Sequence, residues 1–160
     1  MKQKDKLLLL ELLKNGRQNF SKLGRKFNMS RQAVFSRVKT LKNQGIIRNF
    51  TVDIDHEKIG INLRAYILMI IQPGKNAREK INKFFKECKQ ISQVHNLFGT
   101  YDFLLEVLVR DRAELTQLIS KMHEFDSVRK TKTLIVYNTI KNDQSQPVEE
   151  ILSDQNIQPK

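Results

Sequence analysis

The stretch FSKLGRKFNMSRQAVFSRVKTL, Phe20 to Leu41, decides how this chain is read. Leu23 and Phe27 stand four apart, the spacing of the buried stripe of a short helix. Gly24 has no side chain where a second helix would cross closely. Asn28 falls in the turn, where Asn tolerates left-handed backbone. Met29 is an apolar plug and Ser30 a good N-cap. Val34, Val38 and Leu41 then give the next helix an apolar face at i, i+4, i+7, and its other face carries Arg31, Gln32, Phe35, Ser36, Arg37 and Lys39. That outer face suits a recognition helix in the major groove of DNA.

Periodicity alone also fits two ordinary core helices with a solvated charged face. Charge separates the readings. Residues 1–50 hold 13 Lys and Arg against 2 Asp and Glu, a net of +11, whereas residues 51–140 carry +3 and residues 141–160 carry −2. A solvated surface gives no reason for that asymmetry, and a polyanionic partner does. A membrane is disfavoured, because the apolar stripes are short and needed for a core.

Working outward, a first helix runs from about Asp5 to Asn15, with Leu8, Leu9, Leu12 and Leu13 inward and Gly16 closing it. Phe20–Phe27 and Arg31–Gln44 follow as helices, the latter ending at Gly45. Ile46–Val52 reads as a strand, a wing on which Arg48 is placed for a phosphate. The composition changes sharply at residues 53–60. The expected domains are therefore a winged helix-turn-helix over 1–52, a linker over 53–61, a second domain over 62–140 and a polar tail over 141–160, read as flexible or as an edge extension.

In the second domain the periods alternate. Strand patterns at Leu63–Gln72, Ile91–Phe98, Phe103–Val109 and Thr131–Tyr137 are interleaved with helix patterns at Ala77–Cys88 and Ala113–Phe125. The order β-α-β-β-α-β is ferredoxin-like, so the fold class is α+β. Residues 66–71 are apolar on both faces, while two helices cover only one face of such a sheet. Tyr66, Leu68 and Ile70 are thus expected to face a second copy of the sheet in a dimer.

The 160 residues are 39% hydrophobic and 29% charged, a globular composition. A single Cys88 excludes an intramolecular disulfide and suits a cytoplasmic setting. His56, His95 and His123 show no metal-ligand spacing, and neither a nucleophile motif nor a Gly-rich phosphate loop is present. No metal or cofactor is expected.

Taken in order, these pieces resemble the Lrp/AsnC (leucine-responsive/asparagine-regulator, feast–famine) family of transcription regulators over about residues 4–138. The resemblance rests on Leu23 to Leu41, Gly45-Ile46-Ile47, Asp55 to Gly60, Pro73-Gly74, the turn Gly99-Thr100-Tyr101-Asp102, and Val128 to Val136. It implies dimers that assemble further into tetramers or octamers and bind double-stranded DNA. It also implies an amino-acid effector held at Gly99, Thr100, Tyr101 and Asp102, with Thr131 and Thr133 nearby. In that turn Gly99 lets backbone N–H groups approach a carboxylate and Asp102 can accept an ammonium group. A hairpin turn whose Gly and Asp merely suit the backbone remains the plainer reading. On the DNA side, Arg31, Gln32, Phe35 and Ser36 are expected at base edges, and Lys22, Ser30, Arg37, Lys39 and Arg48 at phosphates. The sequence departs from the family's pattern at Asn28, Arg31 and Lys132, where Gly, Pro and an acidic or polar residue are common. Two rivals share the shape: an architectural DNA-binding protein with little sequence preference, and an enzyme resembling sirohaem decarboxylases.

Overall fold

The structure, a computed structural model, describes residues 1–153. Its elements in chain order are α1 Gln3–Lys14, α2 Phe20–Phe27, α3 Arg31–Asn43, β1 Leu63–Ile71, α4 Lys75–Glu87, β2 Ile91–Asn96, β3 Phe103–Val109, α5 Arg112–His123, β4 Val128–Ile135 and α6 Ser145–Ser153, with a 3-10 turn at Glu57–Ile59. They form two compact units. Unit 1 takes in Met1–Asp53 and, among the described residues, 141–153, and unit 2 is Ile54–Ile140. Most of the expected linker thus belongs to unit 2, where the 3-10 turn ends on Gly60 in left-handed backbone at φ 85°.

In unit 1, Leu8, Leu12, Leu23, Val34 and Val38 make the core, with Phe20, Phe27, Met29 and Ile47 packed against it. Leu13, expected inward, is exposed. The expected strand over Ile46–Val52 does not form. Gly45 turns the chain at φ 71°, and the N–H groups of Ile46 and Ile47 both donate to the Leu41 carbonyl, so these residues finish α3 instead. Beyond them Phe50 lies against Gly16, where an added Cβ would stand 3.3 Å from its ring. Among the described residues no strand pairs with this segment, and without a ladder to join its apolar residues alone do not make a wing.

The tail is a second correction. Residues 145–153 are helical: Asp143 Oδ1 accepts hydrogen bonds from the N–H groups of Ser145 and Gln146, and Pro147 sits in the first turn, where no N–H is needed. α6 packs on α1, bringing Leu152 to a groove lined by Lys6, Leu7 and Leu10. Its partner stripe is the face of α1 that the unit 1 core leaves open. Residues 154–160 of the expected tail lie outside the described residues.

Unit 2 is a four-stranded antiparallel sheet in the order β2-β3-β1-β4. Alternation decides its layers. Ala65, Ile67, Met69 and Ile71 of β1 and Phe103, Leu105, Val107 and Val109 of β3 point to one side. There they pack with Ile81 and Phe85 of α4 and Leu115, Leu118 and Met122 of α5. Tyr66, Leu68 and Ile70, half-buried, point to the side opposite this core. No described helix is long and apolar enough to cross a membrane.

Candidate nucleic-acid interface and ligand cleft

The helix-turn-helix is built from three local devices. Gly24 is buried, and a Cβ there would meet the Met29 carbonyl oxygen at 2.5 Å, so only Gly lets the turn fold back on α2. Asn28 takes left-handed backbone at φ 52°, ψ 58° and its N–H donates to the Gly24 carbonyl. Ser30 caps α3: its Oγ accepts the Ala33 N–H at 3.0 Å. The start of α3 is thereby aimed outward. Arg31, Gln32, Phe35 and Ser36 all lie on its solvent side, and the Phe35 ring, 48% exposed, leans on Phe20 at 6.5 Å.

Lys22, Lys39 and Arg48 are exposed, Arg48 in irregular backbone rather than on a wing. Arg37 has another task. Its guanidinium donates to Asp5 at 2.7 Å and clamps α3 to α1, so the expectation of a free phosphate ligand does not fit it. Sequence spacing on α3 alone carries no signal for a partner 32 residues away. A second clamp joins α1 to α2 through Lys26 and Glu11 at 2.8 Å, and the Lys26 hydrogen bond holds the Glu11 carboxyl below the usual carboxylate range. Arg17, which sequence reading passed over, lines an open hollow with Asn19, Lys22 and Lys26 beside that clamp.

In unit 2 the turn Gly99–Asp102 joins β2 to β3, closed by the Leu97 N–H on the Asp102 carbonyl. Gly99 has φ 135° and open space around it. Asp102, however, is already engaged. Its Oδ2 accepts the Ile71 N–H at 2.9 Å and its Oδ1 lies 3.9 Å from the Arg78 guanidinium. Arg78 in turn stacks over Phe103 at 5.0 Å. Together with residues 71–75 these two charged groups line a cleft of about 430 Å³. Arg78 is the residue sequence reading missed; its only signal was a cation one helical turn after Pro73-Gly74.

The two threonines are not brought to this turn. Thr131 and Phe103 pair with Met69 from opposite sides, which places Thr131 two strand spacings, about 9–10 Å, from the start of β3. Its hydroxyl instead meets His123 Nε2 at 2.8 Å, and Thr133 lies two residues further along β4, opposite Ile67. Among the described residues no group of three His, Cys, Asp or Glu side chains is arranged to hold a metal.

Comparison with known proteins agrees with this geometry. A family model described as winged helix-turn-helix DNA-binding matches residues 1–48, and one for the Lrp/AsnC ligand binding domain matches residues 64–146. An uncharacterised helix-turn-helix-type transcriptional regulator of Pyrococcus furiosus is 31% identical over 141 residues, spanning 87% of this chain and 94% of the relative. A solved transcriptional regulator from Neisseria meningitidis, in complex with L-Met, superposes with a TM-score of 0.87 at 23% identity, covering 94% of this chain and 99% of its own. AsnC of E. coli superposes at 0.80 with 24% identity, over 89% of this chain and 95% of its own. These two solved structures speak for the fold alone. The related sequences are regulators rather than enzymes, so the sirohaem-decarboxylase resemblance falls away. With a helix-turn-helix at its N-terminus and the ligand-binding domain matched over more than half its length, this chain belongs to the Lrp/AsnC family of transcription regulators.

Proposed function

We propose that this regulator reads a specific DNA site as a dimer joined through the sheet of unit 2, in the cytoplasm, and that an amino acid modulates it. The observation that carries the DNA part is the outer face of α3: four exposed side chains able to read bases, at the capped start of a helix, in a segment of net charge +11. Arg31 pairs with guanine, Gln32 with adenine, and Phe35 touches a thymine methyl, with Ser36 beside them. Lys22, Ser30, Lys39 and Arg48 hold phosphates. The relevant test is recovery of bound genomic DNA followed by footprinting of the best site, with and without a pool of amino acids. Arg31→Ala or Gln32→Ala should cost ~1–3 kcal/mol there and relax base choice, while Lys22→Ala weakens all DNA alike. Equal affinity for random and recovered DNA would make this an architectural protein instead.

The effector reading centres on the cleft between Arg78 and Asp102. A zwitterion fits two opposite charges 3.9 Å apart: its carboxylate on Arg78, its ammonium on Asp102 Oδ1, with the backbone of Gly99, Thr100 and Tyr101 along one side. The L-Met complex of the similar Neisseria regulator supports an amino acid as the ligand class. Thr131 and Thr133 have no part in it within one chain. Calorimetry against the twenty amino acids tests the reading. Arg78→Ala is the cleaner variant, because Asp102→Ala also strands the Ile71 N–H. Loss of an amino acid's effect on DNA affinity, with ligand-free binding intact, is the expected result. No heat from any of the twenty would leave the turn a plain hairpin.

A further inference from the structure

On the open face of the sheet in unit 2, the two central strands carry charge at one place, the pair Arg64 and Glu106. On its two central strands Tyr66 and Leu68 pair with Glu106 and Leu104, and Arg64 pairs with Leu108. Glu106 thus interrupts a band made of Tyr66, Leu68, Ile70, Leu104 and Leu108. Neither α4 nor α5, the described α-helices of unit 2, packs on this face, yet the Glu106 side chain is only 12% exposed and that of Arg64 22%. Arg64 Nε lies 3.4 Å from Glu106 Oε1, the Tyr66 hydroxyl donates to the same oxygen at 3.4 Å, and Ser92 Oγ donates to Oε2 at 2.8 Å. His56 Nδ1 stands 3.4 Å from Arg64 Nη2. The Arg64 and Glu106 charges cancel each other within one chain, and both are partly withdrawn from water before any partner arrives. Lys130 and Lys132, also directed to this side, lie exposed on β4, an edge strand, and stay at the rim.

We propose that the Arg64–Glu106 pair is the selectivity element of the face by which two copies of this chain associate. The proposal rests on the sheet-to-sheet dimer inferred above. A second copy is the partner argued for because in an isologous contact each face meets itself, and a face whose central strands are self-neutralised offers itself no uncompensated charge at its middle. A desolvated ion pair adds little net affinity, since the loss of hydration offsets the attraction. It does penalise strongly any partner, or any variant, that leaves one of the two charges unmatched. The pair is therefore a filter rather than a glue, and the two roles have different signatures. Glue weakens in proportion to what is removed. A filter is broken by removing one charge and repaired by removing both.

The test is dimer dissociation of the full chain, by sedimentation or by dilution of a fluorescent label. Glu106→Leu alone, and Arg64→Leu alone, should each raise the dissociation constant at least 100-fold. Arg64→Leu with Glu106→Leu should return it to within tenfold of the unaltered chain. Glu106→Gln, which keeps the shape and removes only the charge, should weaken the dimer at least tenfold and guards against a single variant that does not fold. Unaltered dissociation in Glu106→Gln and both single variants would overturn the proposal. So would a double variant as weak as the singles, because the pair would then be glue. If the unaltered chain is itself monomeric at all concentrations, the sheet-to-sheet dimer is what fails, and the pair falls with it.

Discussion

Among the described residues the cluster of buried apolar side chains has five members in the helical unit and thirteen in the sheet unit, and the smaller core sits in the more highly charged segment, with +11 over residues 1–50 against +3 over 51–140. A segment with that charge repels itself and has little apolar burial to offset the repulsion. It is held instead by individually placed groups: the Gly24 close approach, the Ser30 cap, and the Arg37–Asp5 and Lys26–Glu11 clamps. The sheet unit relies on bulk apolar packing. The difference teaches where each is vulnerable: the first to loss of single polar or conformational devices, the second to cavities.

The largest effect should come from a cavity in the sheet unit. Phe103 is fully buried, edge-on to Phe85 at 5.1 Å, and Phe103→Ala should cost ~3–5 kcal/mol. Hydrogen exchange would show the loss confined to residues 54–140, and a cost below ~1 kcal/mol would break the contrast between the units. Next comes Gly24→Ala. The obstacle is backbone, not a side chain that can swing away, so ~1–3 kcal/mol should be lost from the helical unit alone. DNA affinity should fall by more than that stability loss explains, because the turn that aims α3 must shift; unchanged DNA binding would show the turn to be slack.

Ser30→Ala should cost about 1 kcal/mol in the helical unit, and Ser30→Gly only a few tenths, since Gly is tolerated at an N-cap. Equal costs for the two, read from urea melts, would mean the hydroxyl is not what matters. The smallest effect is one of pH. The Glu11 carboxyl is held low by Lys26, so its contribution is present above the ordinary carboxylate range and is lost as pH falls through the depressed value. Melts from about pH 7 down to about pH 2 should show an acid-side loss of helical-unit stability that Lys26→Met makes smaller. An identical acid limb in the variant would sink the assignment.

The parts of this molecule legible in its sequence are those whose cause is local. α2 and β3 fall where the sequence puts them, because Gly24, Asn28 and Ser30 punctuate the first, and an apolar run directly after the turn Gly99–Asp102 marks the second. What sequence reading missed depends on a distant partner. Ile46 and Ile47 look like a strand, but their N–H groups are taken by the Leu41 carbonyl. Residues 145–153 read as a tail because their apolar partner is Leu7 and Leu10, at the opposite end of the chain. Arg37 reads as a phosphate ligand, and the resemblance assigns Asp102 to an effector, but each is also tied to another segment by a side-chain contact that no short-range pattern encodes.

The helical unit is assembled from both ends of the chain, so the backbone crosses between the units twice, at 53–54 and again at 140–141. In modular terms the sheet unit is an insertion. Transplanting it onto another DNA-binding head therefore needs two splice points. A recombination that joined only the first would leave the leucines of α1 bare on one side, which gives such an architecture a built-in resistance to shuffling.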